Sequence, residues 1–371
     1  MTGRERSAYL FLSLLQARTG TSFVARIGDI PVAEIPEMSA AELGHRVRMT
    51  ERAARAFDDL RRDFDPTAII DGLEQRGISA VTLADPEYPE RLGAVPDPPP
   101  ALFVDGELPA SSYPAVALVG SRKASVSGLD AARSLGRALG ERGAYVVSGL
   151  ALGVDAAAHE GALEAGGPAV GVLGCGIDVV YPRSNRRLFE RVRENGAVVS
   201  EYHLGEAPLA WRFPARNRII AGLCDTVVVV EAAEKSGALI TARHALDAGG
   251  DVWAVPGPPG LPECRGSNKL IADGAGCIWD VPEFVESVAP EPPETASTDE
   301  ETSLSVSVPA GLPEGEAAAL AGVGFEPTGV DAVAGRSGLR MQELLSALAL
   351  LELKGYVHRD GSGAFVRRAG G

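Results

Sequence analysis

The chain has 371 residues, 45% of them apolar, and a formal net charge of −15 at neutral pH. That length predicts two or three domains with enough apolar material for packed cores. The longest apolar runs, such as Tyr9 to Leu15, fall short of the roughly 18 to 20 residues a membrane span requires, which argues against a membrane partner and a signal peptide.

Apolar residues at three- and four-residue spacing predict helices over 7–17, 40–60 and 66–76, so residues 1–76 read as a small helical domain. Residues 77–112 form a connecting segment of short extended pieces interrupted by prolines, as in Asp97-Pro-Pro-Pro100 followed by Ala101-Leu-Phe-Val104, which suits a connecting layer or an edge strand. From Ala115 a regular alternation begins. Apolar, β-branched runs at 115–119, 144–147, 169–173, 197–199, 226–230 and 251–255 each end in glycine or a polar turn, and helical stretches separate them. This pattern predicts an α/β domain over residues 113–280, built on a doubly wound parallel sheet.

The charge is unevenly spread. Residues 1–112 carry 12 basic and 18 acidic side chains, 113–280 carry 17 and 18, and 281–371 carry 6 and 14. The acidic average therefore reflects the two ends, and the α/β segment is free to hold a local positive pocket.

Within that segment, Phe213-Pro-Ala-Arg-Asn-Arg-Ile-Ile220 sets Arg216, Asn217 and Arg218 just ahead of an apolar run. Arginine presents a planar fork of donors that suits phosphate, and Phe213 offers either a face for an unpaired base or a core anchor for its loop. The first strand ends in Gly120-Ser121-Arg122 and leads into a helix expected to start near Ser125 or Ser127, a turn suited either to structure alone or to an anion. Its spacing is not Gly-x-Gly-x-x-Gly, so a dinucleotide site is not supported. The second strand ends in Ser148-Gly-Leu-Ala-Leu-Gly-Val-Asp155, where Asp155 is expected to cap the next helix and His159 to be structural. Asp178, Tyr181 and Asn185 are expected to shape a turn at the sheet edge. Lys235-Ser236-Gly237 follows the fifth strand at another helix start. Doubly wound topology aligns the loops after the strands along one edge, so Arg122, Arg216, Arg218 and Lys235 are expected to meet in one phosphate-recognising site.

No nucleophile, base and orienting group occur at a telling spacing, nor does any metal-ligand cluster, so neither an enzyme nor a cofactor is expected. Cys175, Cys224, Cys264 and Cys277 form no Cys-x-x-Cys pair and read as reduced thiols of a cytoplasmic protein. Residues 281–310 hold seven acids and no base, with Pro, Glu, Ser and Thr dominating from about 290 to 307, and read as an acidic flexible linker. Helices expected over 316–323, 329–335 and 340–354, followed by a hairpin turning at Gly361, predict a winged-helix domain over residues 311–371.

A resemblance joins these features. Val119-Gly-Ser-Arg122, Ser148-Gly-Leu-Ala-Leu-Gly-Val-Asp155 with His159, Gly176-Ile-Asp178 with Tyr181-Pro182 and Asn185, Ser200-Glu201, the 213–220 motif, Ser236-Gly237, Val255-Pro-Gly257 and Gly266-Ser-Asn268 with Leu270-Ile271 follow one another as in the DNA-processing protein A (DprA or Smf) family. The resemblance covers about residues 85–280. It implies a Rossmann-like domain that binds single-stranded DNA without known catalysis, forms a homodimer through that domain, and helps load the RecA recombinase on incoming strands in natural transformation. It places the DNA pocket on Gly120, Ser121, Arg122, Phe213, Arg216, Asn217, Arg218, Lys235, Ser236 and Gly237. An N-terminal SAM-like domain and a C-terminal winged helix are also implied. The family's helix-hairpin-helix pattern is reduced here to Arg18-Thr-Gly20-Thr, and residues 311–371 hold six bases and seven acids, so a protein-contact role stands there beside DNA binding.

Two other readings compete. A nucleotide-processing enzyme of the lysine-decarboxylase-like group would carry Pro-Gly-Gly-x-Gly-Thr, whereas the comparable stretch is Pro256-Gly-Pro-Pro-Gly-Leu-Pro-Glu263. A protein-interaction adaptor would bind DNA only incidentally.

Overall fold

The computed structural model describes residues 3–108, 113–290, 312–323, 329–337, 339–354, 356–359 and 365–367. The chain divides into two compact units, residues 1–292 and 293–371.

The first unit opens with helices Gly3–Thr19, Val24–Ile27, Ala40–Val47, Glu51–Asp63 and Pro66–Glu74, with a 3-10 turn at Val32–Glu37. Phe11, Leu12, Leu15, Phe23, Leu43 and Phe57 bury the apolar stripes of these helices in a common core. The single helix expected over 40–60 is in fact two. Arg48 takes a left-handed φ of 54°, and the Thr50 hydroxyl then caps a new helix by accepting from the Ala53 N–H at 3.2 Å.

Nine strands follow: β1 Ile78–Thr82, β2 Ala101–Gly106, β3 Ala115–Val119, β4 Tyr145–Ser148, β5 Ala169–Val172, β6 Gly196–Ser200, β7 Thr226–Val229, β8 Asp251–Ala254 and β9 Gly276–Cys277. They form one sheet in the order β1-β2-β6-β5-β4-β3-β7-β8-β9. Strands β6 through β9 in this order are mutually parallel, as expected, but β2 runs antiparallel to β6 and β1 antiparallel to β2. The sheet is therefore mixed. The segment expected as a connector supplies its outer edge, where a hairpin-like pair needs no crossover helix.

Helices cover both faces. Val116, Leu118 and Val146 pack against Leu135, Leu139, Val154 and Ala158 on one side, and Val119, Val147, Val172 and Val199 face Ile219 and Ile220 on the other. The chain leaves β3 toward β4, β5 and β6, then returns to the opposite side of β3 as β7. The carboxyl ends of β3 and β7 thus form the switch point at which ligands of such sheets bind.

The first helix is fastened to this sheet. Leu10 joins the apolar cluster around Phe103 and Leu173, Ser13 Oγ donates to the Glu201 carbonyl at 3.2 Å, and Gln16 Nε2 donates to the Glu201 carboxylate at 3.0 Å. At the other end of the unit, helix Val281–Val288 buries Phe284 and Val285, with Phe284 edge-on to Trp253 at 5.2 Å. The linker expected from residue 281 therefore cannot begin before this helix ends; most of the expected tether lies outside the described residues.

In the second unit, helices Glu314–Gly322, Val330–Ser337 and Met341–Leu353 precede an antiparallel pair, β10 Val357–Arg359 and β11 Phe365–Arg367. Leu320, Val333, Leu344, Leu348 and Phe365 form its core. The expected turn at Gly361 lies outside the described residues. Among those residues, no helix is long and apolar enough to cross a membrane.

Candidate nucleic-acid interface

A cleft of about 410 Å³ opens at the switch point, lined by residues of the loops after β3 and β7, the loop after β4, and the helix Arg212–Gly222. Three loops are clamped together behind it. The Ser121 N–H donates to the Glu231 carbonyl at 2.8 Å, and the Val154 N–H donates to the Ser121 carbonyl at 3.1 Å. The buried Glu231 carboxylate accepts from the Ser125 N–H at 3.0 Å, while Ser125 Oγ caps helix Val126–Glu141 by accepting from the Gly128 N–H. Glu231 is thus spent on the backbone of the loop that carries Arg122.

Arg216 forms the floor. Its side chain is buried, and Nη1 donates to the carbonyls of Gly149, at 3.0 Å, and Val172. Gly149 has to be glycine for this seat, because a Cβ there would stand 2.3 Å from Nη2. Burial pulls the guanidinium down to about 10, Asp155 opposes that pull, and Arg122 adds to it. Asp155 is buried as well and accepts from the Gly149 N–H at 3.1 Å; burial raises its carboxyl and Arg216 lowers it. It does not cap the helix as expected, since it lies within the first turn of Val154–Glu164 and turns back to the preceding loop.

Arg122 and Lys235 are exposed at the rim, and among the described residues neither has an ion-pair partner. The cleft lining therefore sets the cations Arg122, Arg216 and Lys235 against the single carboxylate Asp155. Asn217 braces the wall, donating through Nδ2 to the Gly237 carbonyl at 3.2 Å and accepting from Arg216 Nε at 3.3 Å.

Phe213 is half-buried and lines the cleft. The Arg122 guanidinium sits 5.2 Å from its ring centroid, and the Tyr181 ring lies 5.3 Å away, tilted by 39°. It is neither a plain core residue nor an isolated platform.

Of the ten residues expected in the pocket, Gly120, Ser121, Arg122, Phe213, Arg216, Asn217, Lys235, Ser236 and Gly237 line it. Arg218 does not. It turns to the opposite side of its helix, where Nη1 and Nη2 hold the Glu201 carboxylate at 2.8 and 2.7 Å and Nε donates to the Asp97 carbonyl at 2.8 Å. Both partners are buried. Burial alone would raise the Glu201 carboxyl, but Arg218 outweighs it and holds the group below the usual carboxylate range. Arg218 is a brace in this fold.

Tyr181 and Asn185, expected only to shape a turn, do more. Asn185 Nδ2 donates to the carbonyls of Leu150 and Ala151 at 3.1 and 3.2 Å, holding the loop after β4 while Leu150 takes a left-handed φ of 53°. Tyr181, four positions before Asn185, is exposed and lies beside Phe213. An exposed aromatic inside an arginine-rich turn was the available signal.

A switch-point crevice with a cationic floor and rim, next to the half-buried Phe213 and the exposed Tyr181, defines a Rossmann-like protein suited to a phosphate-bearing ligand. Family models for DNA recombination-mediator protein A and for the DprA winged helix domain match residues 79–289 and 289–363. The chain is 43% identical over 284 residues to Protein Smf of Escherichia coli K12, covering 74% of each chain. It superposes on the X-ray structure of DNA processing protein A from Streptococcus pneumoniae with a TM-score of 0.61 and 32% identity, over 76% of this chain and 98% of that one. A structure of the Helicobacter pylori protein, described for its single-stranded DNA binding mode, matches with a TM-score of 0.51 and 29% identity over 57% and 94%. The chain belongs to the DNA recombination-mediator protein A (DprA/Smf) family.

Proposed function

We propose that this chain binds single-stranded DNA in the switch-point cleft and passes it to a RecA-type recombinase, protecting incoming strands during natural transformation. The observation that carries the reading is the arrangement of Arg122, Arg216 and Lys235 around one cleft beside Phe213, in a chain whose overall charge would repel DNA. A guanidinium held at the floor by carbonyls meets a phosphate already oriented, and the unpaired rim cations add to the attraction. The rings of Phe213 and Tyr181 favour unpaired bases over a duplex, in which the faces of the bases are already stacked.

The titratable groups at the cleft suit binding better than catalysis. Asp155 is directed to the Gly149 N–H, and Arg216 to the carbonyls of Gly149 and Val172. The protein is accordingly proposed to be a mediator without a catalytic step, acting in the cytoplasm as a homodimer through its sheet domain. Fluorescence anisotropy with labelled oligo-dT tests the first part: affinity should fall steeply with salt and exceed that for the matching duplex. Strand exchange by RecA on DNA coated with single-strand-binding protein tests the second. Binding without any gain in exchange would leave a DNA binder and remove the mediator role.

A further inference from the structure

The strand path does not end at the cleft. Beyond Phe213 stands Tyr181, 42% exposed, and the chain after it reads Pro182-Arg183-Ser184-Asn185-Arg186-Arg187 before continuing to Glu194. Residues 183–194 hold five arginines and two glutamates, a local excess of +3 in a chain of net −15. Arg183, Arg186 and Arg187 are exposed, and among the described residues none has an ion-pair partner.

Their placement is costly for the fold. Arg186 and Arg187 occupy the first turn of helix Arg186–Glu194, where the dipole disfavours cations, and no acid offsets them there. The N-cap residue, Asn185, makes no capping bond: its Nδ2 donates to the Leu150 and Ala151 carbonyls, and its Oδ1 accepts from Ser184 Oγ at 3.3 Å. The two bonds from Nδ2 tie this arginine-rich turn to the loop that supplies Ala151 to the cleft.

We infer that a single strand of nucleic acid leaving the cleft crosses Phe213, stacks a base on Tyr181, and lays its next phosphates along Arg183, Arg186 and Arg187. The inference rests on the proposed single-strand binding and extends it to a second set of residues. The cleft holds the first phosphates, the tyrosine takes an unpaired base, and the arginine turn sets the length of strand the protein can recognise.

The test compares labelled oligo-dT of roughly 6 and roughly 20 nucleotides, lengths chosen around the ~4–16 nucleotides that single-strand-binding folds cover. The triple variant Arg183→Gln, Arg186→Gln, Arg187→Gln should bind the short oligomer as the parent does and the long one about tenfold more weakly near 0.1 M salt. Its salt slope on the long oligomer should fall by about 2, since each lost phosphate contact on a single strand removes about 0.7. Tyr181→Ala should weaken binding of oligo-dT but not of an abasic oligomer of equal length, and Tyr181→Phe should restore it. An unchanged slope on the long oligomer overturns the inference. So does an equal loss on both lengths, which marks a general loss of charge rather than a longer path. If the parent binds neither oligomer, the single-strand reading fails too; if the parent binds and only the triple variant is silent, the extended path alone fails.

Discussion

Arg216 and Arg218, two positions apart on helix Arg212–Gly222, face opposite sides of it: one lies under the cleft against the Gly149 carbonyl, the other grips Glu201. Two residues along an α-helix turn the side chain by about 200°. A single short motif therefore supplies both the charge at the site and the brace that holds the helix carrying it.

This division predicts different losses. Arg218→Ala leaves a buried carboxylate without its partner and should destabilise the protein by about 3–5 kcal/mol. Urea unfolding reads that loss directly. The folded fraction should keep its DNA affinity within about threefold, and a stable variant with selectively lost binding would place Arg218 at the site after all.

Arg122→Ala with Lys235→Ala should do the reverse. Both side chains are exposed and, among the described residues, without an ion pair, and the Arg122 contact on the Phe213 ring is the main one lost, so stability to urea should fall by no more than about 1 kcal/mol. The slope of log affinity for oligo-dT against log salt should drop by about 1.4, two contacts at about 0.7 each. Anisotropy over a salt series decides it.

Gly149→Ala introduces a Cβ that meets the Arg216 guanidinium at 2.3 to 2.7 Å. The guanidinium must leave its seat on the Gly149 and Val172 carbonyls, and single-strand affinity should fall about tenfold while far-ultraviolet circular dichroism stays that of the parent. Unaltered affinity would mean that Arg216 serves only the fold.

His159 is fully buried on helix Val154–Glu164, and neither ring nitrogen makes a hydrogen bond of ordinary geometry. Burial pulls it from 6.5 down to about 4, with the Ser148 backbone opposing. The unfolded chain then binds the proton more readily than the native one, so this residue costs no stability above pH 6.5 and removes about 3 kcal/mol as pH falls toward 4. His159→Leu should flatten the stability profile across that window relative to the parent. Parallel profiles would show that the imidazole is not held neutral.

Much of the architecture was legible because its signals are local. Valine-rich runs ending in Gly120, Gly149 or Gly174 mark strands that enter turns, and the alternation of six such runs with helices implies the order that brings Arg122 and Lys235 to one edge. What escaped depends on partners far away in the chain. Nothing near Arg218 tells that Glu201 waits on the inner side of its helix, and nothing near Ala101 tells that β2 will pair antiparallel with β6. Arg48 breaks a helix without glycine or proline to announce it. Tyr181 reads from the sequence only as a turn residue, because its ring contact is with a neighbour 32 positions later, Phe213.

Arg6 of the first helix finds its polar partners at Ala80 and Asp85, but Ser13 and Gln16 find theirs very late in the chain, reaching Glu201 188 and 185 residues onward. During synthesis these side chains emerge early and must wait until β6 has been made and paired before Glu201 can accept from them. Closing so long a loop adds little to the equilibrium cost but slows the search. The docking of residues 3–19 is therefore expected to be a late step in folding, and a chain begun at residue 77 would skip it, removing Leu10 from the cluster around Phe103 and leaving Glu201 two donors short, one at its carbonyl and one at its carboxylate.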